Sequence, residues 1–281
     1  MMDEQSNGRG RTAASPRVLV PIAEVAAFAY RAVFTRLGLL LELAWIPLLA
    51  MLAATLLPGY LQFYLGWHML PAWQGDGYGL GLADLIEVAA GLLCLNAFAV
   101  RWHQAMLFAG EGLAPPGVFS RAWLRFIAYT LLLYLVSAVV LAVLLLASAN
   151  EDAAPYLAPI AGLAITFIWA GMVRCSLLFP AAAFGNPLGL GGAWRAMRGN
   201  SWRLLGCGII ACAPAMLIVI VLLSGLSAEL QLDQSKATVP LGFFILRGVI
   251  ETCMNFVIVA LGASVLSTFY RRILLRGLGT F

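Results

Sequence analysis

Six blocks of almost unbroken apolar residues, at about 37–57, 82–107, 126–147, 156–178, 204–226 and 239–266, alternate with shorter stretches that collect most of the polar residues. Each block reaches the roughly 20 residues that a helix needs to cross a hydrocarbon layer about 30 Å thick. Backbone inside lipid must bond to itself, which leaves helices or closed barrels. Runs such as LLLYLVSAVVLAVLLL at 131–146 lack the in-and-out alternation of a barrel strand, so the blocks predict helices. The fold class expected is all-α, a polytopic membrane bundle of six transmembrane helices.

The polar stretches repeat. Three times a proline-containing amphipathic segment leads into a pair of apolar blocks: VPIAEVAAFAYRAVFTRLG before the first two, APPGVFSRAWLRF before the next two, and NPLGLGGAWRAMRGNSWRLLG before the last two. Each places arginine beside an aromatic residue, as in Tyr30 with Arg31, Trp123 with Arg121 and Arg125, and Trp194 and Trp202 with Arg195 and Arg203. Aromatic rings and guanidinium groups both favour the headgroup zone. The pattern predicts three quasi-repeated helix pairs, each preceded by a cytoplasmic interfacial amphipathic helix. Residues 1–16, rich in Ser, Gly, Ala and Arg, predict a disordered cytoplasmic tail, and 17–281 a single transmembrane domain. The opening MMDEQSNGRG is polar and partly acidic, unlike a cleavable leader, so targeting is expected to fall to the first membrane helix.

Composition and charge give the bundle a direction. Of 281 residues 62% are hydrophobic and 11% charged, and mean hydropathy is +0.93. A soluble domain carries about 25% charged residues, so lipid is the expected solvent. The net charge of +4 does not point to nucleic acid, because the basic residues lie between apolar blocks and form no tract. Of the 17 basic residues, all but Lys236 and Arg247 fall on one side of the six blocks, while Asp76, Asp84, Glu151, Asp152, Glu229 and Asp233 fall on the other. Positive charge marks the cytoplasmic side, so both termini are expected there.

The segment AWRAMRGNSWRLLG, preceded by an apolar block ending LLFPAAAFG, resembles the link between helices four and five in a broad group of bacterial six-helix membrane proteins. That group includes the membrane domain attached to glycerophosphodiester phosphodiesterases. The resemblance implies the same topology and a bacterial inner (plasma) membrane location. This chain has no soluble phosphodiesterase domain, so the resemblance implies no enzymatic activity.

No nucleophile, base and orienting group converge in the pattern, and no glycine-rich phosphate loop with lysine occurs, so no catalytic residue and no cofactor are expected. The cysteines Cys94, Cys175, Cys207, Cys212 and Cys253 have neither pair nor zinc spacing and read as small hydrophobes, with no metal expected. His68, near Trp67 and Trp73, reads as part of an outer aromatic belt, and His103, next to Trp102, as inner-interface anchoring. Each helix pair ends in arginine, at Arg101, Arg174 and Arg271. These, with Arg195 and Arg203, are either interfacial anchors or a basic ring for phosphate headgroups, to which the guanidinium fork is suited. The expected partners are membrane lipids or another membrane protein.

Charges deep in a bilayer cost roughly 2.5–3.5 kcal/mol each on insertion scales and need a partner. Arg247 and Glu251 are four apart on the sixth helix and can pair, with Asn255 one turn further on the same face. They form a self-neutralising pair or, in a permease or channel, part of a polar path. Glu42 lies just inside the inner boundary and is expected in a salt bridge, while Glu87, near the outer end of its helix, is expected to reach water.

Overall fold

The computed structural model describes residues 19–64, 82–108, 120–148, 154–186, 188–231 and 241–275. Among them the chain forms nine helices and no strand: α1 (Ile22–Phe34), α2 (Leu37–Tyr64), α3 (Leu82–Leu107), α4 (Arg121–Ser148), α5 (Ala154–Cys175), α6 (Leu178–Phe184), α7 (Leu190–Ala196), α8 (Ser201–Gln231) and α9 (Leu241–Leu274). The six expected crossings are α2, α3, α4, α5 continued by α6, α8 and α9, each long and apolar enough to span a membrane. The chain is a multi-pass, all-α membrane protein. The tail at 1–16 and the loop carrying His68 lie outside the described residues.

Several helix ends follow local chemistry rather than the apolar runs. Ser120 starts α4, its hydroxyl accepting the Trp123 N–H at 3.4 Å, as an N-cap does. RAWLRF, expected within a separate interfacial stretch, is therefore the first part of the spanning helix, and residues 109–119 before it lie outside the described set. The fourth crossing breaks between α5 and α6 at Ser176 and Leu177. Pro180 lacks an N–H for the Ser176 carbonyl, and its ring crowds that group; the Phe179 N–H bonds there instead, at 3.2 Å. α6 then ends at Gly185, whose φ of 82° is the left-handed cap that glycine adopts without strain.

The three expected pairs do pack as pairs, α2 on α3, α4 on α5 and α8 on α9. The interfacial helices are uneven: α1 precedes the first pair and the short α7 the third. α9 is the central element, in contact with α1, α2, α3, α6 and α8. Between Ala260 and Tyr270 nearly every residue of α9 is buried, so this half of the helix is surrounded. Ala260, Ala263, Ser264 and Ser267 keep its surface low, which lets neighbouring backbones approach. By contrast α4 and α5 show large apolar side chains such as Leu135, Phe167 and Trp169 outward, as expected of helices bathed in lipid.

α1 is docked rather than loose. It buries Val25, Ala29 and Val33 while Phe28, Arg31 and Phe34 stay exposed, and it packs on α8 and α9. The GNSWR turn holds the chain entering it: the Val20 N–H donates to Asn200 Oδ1 at 3.2 Å, and Arg203 Nη1 donates to the Val20 carbonyl at 3.1 Å. Further along, the Tyr30 hydroxyl reaches the carbonyls of Ala211 at 2.8 Å and Ile210 at 3.2 Å. Pro214 explains the longer of these two contacts. It has no N–H to offer the Ile210 carbonyl, so α8 exposes an acceptor there that another helix can use.

Candidate functional site

The arginine-rich end is built on α3, α5, α7, α8 and α9. Arg174, in the last turn of α5, places its guanidinium 4.5 Å from the centre of the Trp194 ring on α7, a cation–π contact. Arg195 is exposed, and its Nε donates to the Gly191 carbonyl of its own helix at 3.2 Å. Arg203 is half-buried and occupied by Val20, as described above. Arg101 and Arg271 are also half-buried, but among the described residues neither has a carboxylate or hydrogen-bond partner. Arg272, beside Arg271, pairs instead with Glu24 of α1.

These cations form a band rather than a ring at one depth. The Trp102 indole donates to Ser264 Oγ at 2.9 Å, and His103 Nδ1 lies 2.7 Å from Ser267 Oγ. Arg101 on α3 is therefore level with the Ser264 region of α9, and Arg271 lies about 10 Å beyond it along the axis. Glu42, expected in a salt bridge near this level, is exposed and makes no ion pair or hydrogen bond among the described residues. Its position on α2 turns it outward rather than toward the neighbouring helices.

His103 corrects the sequence expectation. It is 1% exposed, inside the bundle, with its ring 5.8 Å from that of Phe126. Trp102 is wholly buried beside it, and Gln104 donates to the Ala183 carbonyl at 3.2 Å, while its own Oε1 has no partner among the described residues. The three polar groups of WHQ thus tie α3 to α9 and α6. Serines on α9 supply the missing half of the signal, and nothing local to His103 in sequence points to them.

At the opposite end, a cavity of about 310 Å³ lies between α2, α3, α8 and α9. It collects Glu251 and Asn255, expected as polar candidates, together with Thr55, Glu87 and Thr252. Arg247 Nε bonds Glu251 Oε1 at 3.0 Å, the local pair that the i,i+4 spacing predicts. Their depth differs from expectation. α9 has 34 residues, about 51 Å at 1.5 Å per residue, and Arg247 is about 36 Å from Arg271 along it. With a hydrocarbon core about 30 Å thick, the pair lies toward the far boundary rather than mid-bilayer.

Glu87 is the residue that sequence reasoning undervalued. Thr55 Oγ1 donates to its Oε1 at 3.4 Å, and both side chains face the cavity that Glu251 lines from α9. Three separate helices supply this constellation, so no spacing within one helix announces it. Known families, curated proteins and solved structures offer no match to the chain. The site therefore has to be read from its own chemistry.

Proposed function

We propose that this is a non-enzymatic, multi-pass protein of a bacterial inner membrane, with both termini cytoplasmic, that binds anionic lipid headgroups at its arginine-rich end. The observation that carries the reading is the pair Arg101 and Arg271, half-buried guanidinium groups with no anionic partner among the described residues. A desolvated cation without a counterion is costly. Phosphate satisfies the guanidinium fork with two parallel hydrogen bonds. Arg174 with Trp194, and the exposed Arg195, extend the same surface along α5 and α7, where an indole and a guanidinium suit the headgroup layer. Arg203 belongs to the α1 clamp and supports the surface only indirectly.

The test is lipid retention. Protein purified in neutral detergent from membranes containing phosphatidylglycerol is expected to carry that lipid. The combined variant Arg101→Ala, Arg174→Ala, Arg271→Ala is expected to lose most of it while remaining folded. Equal anionic-lipid content in variant and parent would sink the reading.

A second reading, a small permease or channel with a polar path at Arg247, Glu251 and Asn255, is favoured by the cavity at that end. A flux assay in proteoliposomes, comparing parent with Glu251→Gln, separates it from the first.

A further inference from the structure

Glu42 is a carboxylate without a counterion on an apolar face. On α2 it stands in line with Trp45, Ile46, Leu49, Ala53 and Leu57, all of them exposed. Their spacing of three or four residues is that of a seam along which one helix packs on another. A carboxylate facing lipid about 8 Å inside the start of α2 is costly and calls for a cation. Helix α4 carries a matching stripe: Arg125, Ala128, Leu132, Leu135 and Val139 are exposed at the same spacing. Among the described residues the ion pairs are Arg247–Glu251 and Arg272–Glu24, so Glu42 and Arg125 are both left over.

Helix α3 sets the depth of each. Thr55 of α2 bonds Glu87 of α3, and a Cβ on Gly91 would lie 4.0 Å from Met51 Cε. That antiparallel register puts Glu42 level with Val100. Thr130 of α4 donates to Asn96 Oδ1 at 3.1 Å, and the Phe126 ring lies 5.8 Å from that of His103. Arg125 is thereby level with residues 101–104 of α3, and the two charges differ in depth by about 2–6 Å, within the reach of an arginine side chain. Because α2 and α4 both run antiparallel to α3, they run parallel to each other. Two copies inserted the same way present the two stripes in register. A lipid amine would satisfy Glu42 alone and a lipid phosphate Arg125 alone, whereas a second copy satisfies both.

We propose that copies of this chain associate through α2 of one and α4 of the next, Glu42 pairing with the partner's Arg125 while Trp45, Leu49 and Ala53 pack along the α4 stripe. Small residues at Ala53 and Ala128 let the two backbones approach. The contact joins two different surfaces, so each copy keeps one half of the pair for a further neighbour, and rotation about the bilayer normal closes the set into a ring. Association is independent of headgroup binding, since neither residue belongs to the arginine set assigned to that role.

The test uses the full chain, labelled at its N-terminus in two portions with donor and acceptor fluorophores and reconstituted in phosphatidylcholine vesicles, which supply neither anionic nor primary-amine headgroups. Energy transfer that falls on dilution with lipid is expected for the parent. Glu42→Arg and Arg125→Glu each set like charges face to face, and each alone is expected to weaken association by at least about tenfold. Mixing these two variants is expected to restore it, because every contact between unlike chains again joins opposite charges. The neutral changes Glu42→Gln and Arg125→Gln, checked for parental helix content by circular dichroism, are each expected to weaken association as well. A monomeric parent, association unchanged in the folded neutral variants, or no recovery when the folded charge-reversal variants are mixed overturns the proposal.

Discussion

Single side chains on this protein do one of two jobs: they tie helices together or they face a place that protein atoms leave open. Tyr30 does the first. Its hydroxyl donates to the Ala211 carbonyl of α8, beside the Ile210 carbonyl that Pro214 leaves without a helical partner, and burial pushes the phenol above its ordinary value of 10. Tyr30→Phe is expected to cost about 1 kcal/mol, the usual net value of one such bond, visible as a lower midpoint in thermal unfolding. The Arg247–Glu251 pair is more exposed, with Arg247 at 53% and Glu251 at 32%. A double-mutant cycle to alanine should therefore return a coupling under about 1 kcal/mol, as for solvent-screened pairs; a coupling several times larger would put the pair in dry hydrocarbon. This pair was legible in the sequence because four-residue spacing on a helix is a local fact. Glu87 and His103 were not, because Thr55, Ser267 and Phe126 reach them from other helices.

For whole helices, the apolar runs revealed which segments cross, and the structure adds where they stop and what they touch. α3 has the bounds its apolar block predicts. α2 and α9 run on past theirs, to Tyr64 and Leu274, since hydrogen bonding does not end where hydrophobicity does. Proline and serine did leave readable marks, Pro180 at the α5–α6 break and Ser120 at the start of α4. Close packing left a fainter one. A Cβ added at Gly248 of α9 would come within 2.7 Å of Leu56 Cδ2 on α2, whereas one at Gly262 would meet nothing within 4 Å. Gly248→Leu should then destabilise by about 1–3 kcal/mol through overpacking, while Gly262→Ala should be neutral or mildly stabilising through helix propensity. Denaturation midpoints of the two variants in one detergent check this, and equal effects would contradict the α2–α9 packing.

At the level of the whole molecule, the arginine-rich end is the consolidated half and the cavity end the open one. The charge pattern gathered the arginines at one end, but gave no sign that Arg203 and Arg272 are used to hold α1. The Glu24–Arg272 contact gives that hold a pH dependence. The hydrogen bond and charge of Arg272 lower the Glu24 carboxyl below its ordinary value of 4.5. Its contribution is complete above that ordinary value and is lost as pH falls through the lowered one. Amide exchange in α1, corrected for intrinsic rates, should therefore speed up on acidification below about pH 4.5, and the change should be smaller in Glu24→Gln.

The docking of α1 also sets an order of events. Val20 is bonded to Asn200 across 180 positions of sequence, and Arg272 pairs with Glu24 across 248. α1 leaves the ribosome well before α8 and α9, the helices that receive it. At roughly 5–20 residues per second, that gap is roughly ten to forty seconds of synthesis during which its apolar face has no permanent seat. Chain closure is then the last act of assembly, made when the newest helix is gripped by the oldest, and a ribosome stalled before α8 would hold a protein with every earlier crossing in place and its first helix still waiting.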